Sequence, residues 1–241
     1  MPKFIAFYGS PGSGKTSIAL KAAMETYIQT KDEIIAFLSP DMTVPSIALL
    51  FPNYAPDEVM SLSDIFDNTA ITNESLLKNG VTVKTMKDFF ALGFKSGENR
   101  FSFPTPTPEK INSLFSALSD VAGYIFVDCT NDESDEISKK ALTMSDVAVR
   151  VISADPKGMS WYSSNKNSDR TEGENLFNVV NVTERELFLP TEEVCTKLHS
   201  IAALLPYSRA LKQQMLDGRM YDRLSDRAYT KKIQSLVRKI I

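Results

Sequence analysis

Residues 3–17 read KFIAFYGSPGSGKTS. An apolar run ends at Gly9, a loop of small residues follows, and a Lys-Thr pair opens the helix-forming segment TSIALKAAMETYIQ (16–29). Gly9 through Thr16 satisfies G-x-x-x-x-G-K-[ST] at every position. Strand, glycine-rich loop and helix in this order predict a phosphate-binding turn. The chemistry needs these residue types. Glycines let backbone N–H groups turn toward phosphate oxygens, and the helix N-terminus adds a partial positive charge. Lys15 can then reach the β- and γ-phosphates, while the Thr16 hydroxyl suits Mg2+. The predicted nucleotide-binding set is Gly9, Ser10, Pro11, Gly12, Ser13, Gly14, Lys15, Thr16 and Ser17.

Beyond this turn, short apolar runs alternate with longer helical patterns. Strands are predicted at 3–9, 33–39, 124–129, 147–153, 176–182 and 200–206, and helices at 15–29, 107–119, 133–144, 158–164 and 191–198. The strand runs are apolar almost throughout, as expected of strands covered on both faces. The expected fold is therefore α/β, a P-loop NTPase with a mostly parallel sheet flanked by helices on both faces and built as a single domain over 1–241. One elaborated region interrupts the rhythm at about 52–108. There SLSDIF, NESLLKN and KTMKDFFALGF read as short helices, followed by prolines at 104, 106 and 108 that favour an extended connector. The chain ends in GRMYDRLSDRAYTKKIQSLVRKII, whose apolar residues from Tyr221 through Leu224 and Ala228 to Ile240 recur at spacings of three and four. That pattern predicts a closing amphipathic helix.

With 43% hydrophobic and 24% charged residues, the composition is that of a globular protein with a sizeable core. No run approaches the roughly 20 apolar residues of a membrane span, and two cysteines form no disulfide framework. A cytoplasmic protein is expected. The net charge of −3 is uneven, with +6 on residues 206–241 and −9 on the rest. A solvated helix face explains that basic end most simply. Contact with DNA or a membrane surface, peripheral at nucleoid or bilayer, is the less favoured alternative.

A phosphate-bound Mg2+ needs an acidic partner. YIFVDC supplies Asp128 at the C-terminal end of a predicted strand, where open α/β sheets bind ligands. Asp41, just past IIAFLSP, stands at the equivalent end of the second strand. It reads either as a turn residue or as a further acidic group able to position attacking water and metal. Zinc and nucleophile chemistry find no support. His199 is the sole histidine, Cys129 and Cys195 are too few for a zinc site, and no G-x-S-x-G elbow is present.

With these residues in place, the chain resembles the MinD/ParA family of P-loop ATPases, the deviant Walker A group. The resemblance runs through SPDMTVPSIALLFP (39–52), YIFVDC (124–129), ALTMSDVAVRVISADPKGMS (141–160), FNVVNVTE (177–184) and LLPYSRALKQQMLDGRMYD (204–222). Within the family, small CpaE/TadZ-type members are the most similar in layout. The resemblance implies that Lys15 and Thr16 hold phosphate and Mg2+, and that Asp128 reaches the metal through water. It further implies that Asp41 organises the first switch or activates water, that Asn181 hydrogen-bonds the adenine edge, and that Pro206 and Tyr207 belong to the base-contacting loop. Asn181 also reads as a strand-end turn residue.

Three departures matter. The family's extra lysine, which reaches across an ATP-dependent homodimer to the partner's phosphates, belongs where Ser10 stands. Asp128-Cys-Thr-Asn-Asp132 lacks the Pro and Gly of the second switch, and SPD keeps one carboxylate of the usual pair. The expected function is an ATP/ADP-binding switch with slow Mg2+-dependent hydrolysis, catalysed with Lys15 and Asp41. It would position or regulate a larger assembly of partition, pilus, secretion or conjugation type through a protein partner. A catalytically silent ATP/ADP-binding scaffold is the first alternative. A small-molecule or nucleotide kinase is the second, disfavoured because residues 1–149 contain one arginine, Arg100, where such enzymes need several. NVTE at 181–184 also lacks the N-K-x-D expected of a guanine reader.

Overall fold

In the computed structural model, described for residues 1–53, 61–103, 105–132, 134–166, 175–186, 189–198 and 200–241, the predicted alternation is realised around one eight-stranded sheet. Pro104, Glu133 and His199 lie outside the described residues. In chain order the elements are β1 (Lys3–Gly9), α1 (Lys15–Gln29), β2 (Ile35–Ser39), α2 (Ile47–Leu50), α3 (Leu62–Asp67) and α4 (Asn73–Asn79). Next come β3 (Val81–Val83), β4 (Met86–Gly93), α5 (Pro108–Val121), β5 (Tyr124–Asp128), α6 (Glu136–Met144) and β6 (Val147–Ser153). The chain closes with α7 (Pro156–Asn165), β7 (Leu176–Asn181), α8 (Thr191–Lys197), β8 (Ile201–Leu205), α9 (Arg209–Leu216) and α10 (Arg227–Ile240).

The strand order is β3-β4-β2-β5-β1-β6-β7-β8. Every pair is parallel except the short edge pair β3–β4. Because β1 lies between β5 and β6, the order reverses at β1, and the loops after β1, β2, β5 and β7 open on one edge. A crevice at such a reversal is the general ligand position of open α/β sheets.

Both faces of the sheet are covered, which explains the near-continuous apolar strands. Ile5, Phe7, Phe37, Phe126 and Val149 pack with α1 and α10 on one side. Phe4, Ala6, Leu38, Ile125 and Val127 pack with α3, α5 and α6 on the other. Helix α10 buries Tyr229, Ile233, Leu236, Val237 and Ile240, while Arg227, Lys231, Lys232, Arg238 and Lys239 face outward. Full burial of one such apolar side chain is worth about 1.5–3 kcal/mol, so the apolar face of α10 belongs to the core. Among the described residues, no helix is long and apolar enough to cross a membrane.

Two expectations are corrected. KTMKDFFALGF does not form a helix; its centre is β4, paired in parallel with β2 from Ile35↔Phe89 to Ser39↔Gly93. Met86, Phe89, Phe90 and Gly93 fall at helical spacings. However, Phe89 and Phe90 are both buried, facing opposite cores, so two-sided burial overrode the period. Gly93 also admits no side chain, since a Cβ there would lie 2.3 Å from Ile47 Cγ1 and 2.7 Å from Ser39 O. The elaborated region therefore extends the sheet as well as covering it, with α3 and α4 as predicted. The second correction concerns the C-terminus. Asp226 caps α10, accepting hydrogen bonds from the N–H groups of Ala228 and Tyr229, both at 3.1 Å. Tyr221 and Leu224 thus precede the helix, Ala228 is exposed, and α9 lies in a stretch with no predicted helix.

Candidate functional site

Gly9 leaves β1 at φ 149° with no room for a side chain, because a Cβ would sit 1.8 Å from the Val151 carbonyl oxygen of β6. This close approach starts the loop. Ser10 is buried, its N–H donates to Val151 O at 3.0 Å, and its Oγ accepts from Ser153 N at 3.1 Å. The loop is thus tied to β6 at its first turn. Gly14, at φ 78°, ends it as the N-cap of α1, and no side chain caps the helix. An α-helix leaves its first N–H groups without intrahelical partners. Here those of Gly14, Lys15, Thr16 and Ser17 are left open, because the first intrahelical bond runs from Ile18 N to Gly14 O. The buried Ser13 hydroxyl has no hydrogen-bond partner.

The far side of the loop is held by β7. Asn181 is buried, and its Nδ2 donates to Ser13 O at 2.7 Å. A Cβ on Gly14 would lie 2.7 Å from that same nitrogen, so the glycine and the asparagine fit only together. Pro206 and Tyr207 follow β8 at the same edge, where Val182 N donates to Leu205 O at 3.0 Å and the Lys212 ammonium lies 5.2 Å from the Tyr207 ring centroid.

Asp128 ends β5, the strand beside β1, and is buried. One carboxylate oxygen, Oδ2, accepts from Ser39 Oγ at 3.3 Å, and Ser39 in turn pairs with Ser46, the N-cap of α2, at 2.7 Å. The other, Oδ1, is buried without a hydrogen-bond partner. Burial pushes the Asp128 carboxyl above the usual carboxylate range, and the Asp41 charge adds to this. Lys15 and the hydroxyls of Thr16 and Ser39 pull it back. These opposing effects place Lys15, Thr16 and Asp128 in one electrostatic neighbourhood. A buried carboxylate with a free oxygen, next to a hydroxyl at a phosphate-binding turn, is a donor set that fits Mg2+. This ion takes one or two protein oxygens and fills its remaining positions with phosphate and water. Among the described residues no group of three or more His, Cys, Asp or Glu gathers to hold a metal on its own.

No family model matches the sequence, and no curated relative is found by sequence comparison. The fold finds clear counterparts. A ParA family ATPase from Chlorobium tepidum TLS superposes with a TM-score of 0.75 at 14% identity, covering 98% of each chain. A plasmid partition protein of Borrelia burgdorferi B31 bound to AMPPNP gives 0.75 at 16%, covering 99% of this chain and 98% of that one. The septum site-determining protein MinD of Pyrococcus horikoshii OT3, complexed with Mg-ADP, gives 0.73 at 15%, covering 100% and 96%. The fold is that of the MinD/ParA ATPases.

Within this MinD/ParA fold the predicted site residues divide into three groups. Gly9–Ser17, Asp128 and Asn181 converge on one turn. Pro206 and Tyr207 share its edge of the sheet. Asp41 stands apart in its bonding, because its Oδ1 accepts from the N–H groups of Thr43 (2.8 Å) and Val44 (2.9 Å), so the side chain shapes the loop after β2. The loop after Asp128, despite its departure from the MinD/ParA pattern, is well braced. Cys129 N donates to Phe7 O (2.9 Å), Thr130 N to Ser138 Oγ (3.0 Å), and Asp132 accepts from both the N–H and the hydroxyl of Ser134. Sequence reasoning missed Ser39 and Ser153, which hold Asp128 and Ser10. It also missed Lys21, buried in the second turn of α1, whose ammonium donates to Met220 O (2.6 Å) and Asp222 O (2.8 Å). A lysine inside the apolar run SIALKAAM was the available signal for Lys21. The two serines carried none.

Proposed function

We propose that this chain is a nucleotide-operated switch that binds ATP or ADP with Mg2+ and positions or regulates a larger assembly. The observation that carries the reading is the pairing of an uncapped α1 N-terminus, whose Lys15 and Thr16 are felt at Asp128, with a buried Asp128 whose Oδ1 has no hydrogen-bond partner. One end of this arrangement suits phosphate and the other suits the cation that accompanies it. The nucleotide-bound relatives with this fold, one with AMPPNP and one with Mg-ADP, support the same ligands. The names of those relatives, plasmid partition and septum site determination, support positioning as the task.

On this reading Lys15 neutralises β- and γ-phosphate charge, and the N–H groups of Gly14–Ser17 donate hydrogen bonds to the phosphate oxygens. Thr16 and Asp128 would hold Mg2+, which supplies charge neutralisation at the terminal phosphate. Asn181, with Nδ2 engaged by Ser13 O, leaves Oδ1 as an acceptor. An acceptor matches the exocyclic amine of adenine and not the carbonyl of guanine. Pro206 and Tyr207 would border the base. Asp41, by way of the loop it shapes, would order the first switch and through it the attacking water.

The test is calorimetry with Mg-ATP and Mg-ADP. Binding by the wild type and its loss in Lys15→Ala support the reading, and equal affinity in both proteins sinks it.

A second reading, a scaffold that binds nucleotide without turnover, is favoured by one observation. Ser10, at the position of the family's extra lysine, is buried and turned onto Ser153. Phosphate release assayed with and without candidate partners separates the two, since turnover under either condition excludes the scaffold.

A further inference from the structure

Residues 95–103 end in a tightly braced turn beside the loop that follows Asp128. Asn99 Oδ1 accepts from the N–H groups of Phe101 (2.9 Å) and Ser102 (3.3 Å), and Asn99 O accepts from Phe103 N (2.9 Å). Phe103 anchors the turn, its ring 6.3 Å from Phe66 and 6.2 Å from Phe94. From this fixed base Arg100, the one arginine of residues 1–149, extends its guanidinium to Asp132. The pair borders a cavity of about 110 Å3 that is also lined by Asp41, Thr43 and Thr130, so it joins the loops at the ends of β2 and β5.

The pair is poorly placed to contribute stability. Its side chains are 55% and 27% exposed, and ion pairs so exposed to solvent add little. Its position is more informative. Asp132 is in the loop that leads away from Asp128, and the Asp41 charge that lines the cavity is also felt at Asp128. A diphosphate can be held within Gly9–Thr16. A third phosphate adds charge on the side where Lys15 and the metal meet, toward the ends of β2 and β5.

We propose that Arg100 is a positioning residue which, through Asp132, holds the loop after Asp128 and thereby sets how the chain distinguishes a nucleoside triphosphate from a diphosphate. The proposal rests on the nucleotide-binding reading above. Arg100 acts on the loop, not on the nucleotide. Residues 61–103 are then connected to the site, because Glu98, at the root of the same turn, is bonded to Ser61 and Ser63 at the start of α3.

The experiment compares wild type, Arg100→Ala and the charge swap Arg100→Asp/Asp132→Arg. Affinities for Mg-ADP and Mg-AMPPNP are measured by calorimetry, and amide hydrogen exchange is followed across residues 129–135 without nucleotide. In Arg100→Ala the ratio of the two affinities is expected to change about two- to fivefold. Exchange in 129–135 should quicken while the melting temperature holds, and the swap should restore both readouts. An unchanged ratio, equal weakening of both nucleotides, or unaltered exchange overturns the proposal. If the wild type binds neither nucleotide, the underlying reading fails and this proposal with it, a result distinct from a wild type that binds and a variant with an unchanged ratio.

Discussion

Asn181 and Ser13, 168 residues apart in the chain, are joined by a 2.7 Å hydrogen bond that fixes the phosphate-binding turn to the seventh strand. The side-chain amide occupies the space a β-carbon on Gly14 would need. The turn is therefore held from both sides, by Ser10 on β6 and by Asn181 on β7.

Asn181→Ala should loosen the turn and leave Ser13 O without its partner, at a cost of about 1–3 kcal/mol. Nucleotide affinity is expected to fall with it. Asn181→Asp should do worse, because a carboxylate would face the Ser13 carbonyl. Parallel thermal melts and calorimetry check both variants.

Asp128→Asn separates folding from ligand binding. The native carboxyl is pushed up by burial, so removing its charge relieves a desolvation cost. The ligand-free variant is expected to melt about 2–4 °C higher, and to lose the dependence of nucleotide binding on Mg2+. A lower melting temperature with Mg2+ dependence intact would contradict the assignment.

Lys21 gives the protein a pH signature. Burial lowers its ammonium to about 7 from the usual 10.5, against the opposing pull of Asp222. Between those values the unfolded chain holds a proton that the folded chain has released, so stability rises with pH across the window. Melting temperature should climb from pH 6.5 to 9.5 by several degrees, on the order of 5 °C. Lys21→Met should flatten that slope relative to wild type, whatever its absolute stability. A wild-type slope of opposite sign would refute the argument.

Gly93→Ala probes the strand that sequence periodicity misassigned. The new methyl would press on Ile47 and on the carbonyl of Ser39, whose hydroxyl reaches Asp128. Overpacking of this kind costs about 1–3 kcal/mol. A melt shows the loss directly, and a neutral result would place residue 93 outside the packed sheet.

The legible parts of the sequence were those written in contiguous residues. The phosphate turn could be read because glycine, lysine and threonine each answer a local demand, and Asp128 because it ends an apolar strand. The β4 strand could not, since Met86, Phe89, Phe90 and Gly93 repeat at helical intervals and only the second core on the opposite face reveals their true period. Asn181 was found for a different reason, its role toward a base, whereas the structure first shows it bracing Ser13. The contacts Ser10–Ser153, Ser39–Asp128 and Arg100–Asp132 depend on which strands become neighbours. That information lies in the β5-β1-β6 order and in no single stretch of sequence.

The inward turn of Ser10 has a consequence for how the molecule behaves at different concentrations. A loop whose first side chain is buried and satisfied by its own sheet offers a neighbouring molecule no charged group at that position. Occupancy should then follow the concentration of nucleotide alone, and dilution should leave the affinity unchanged.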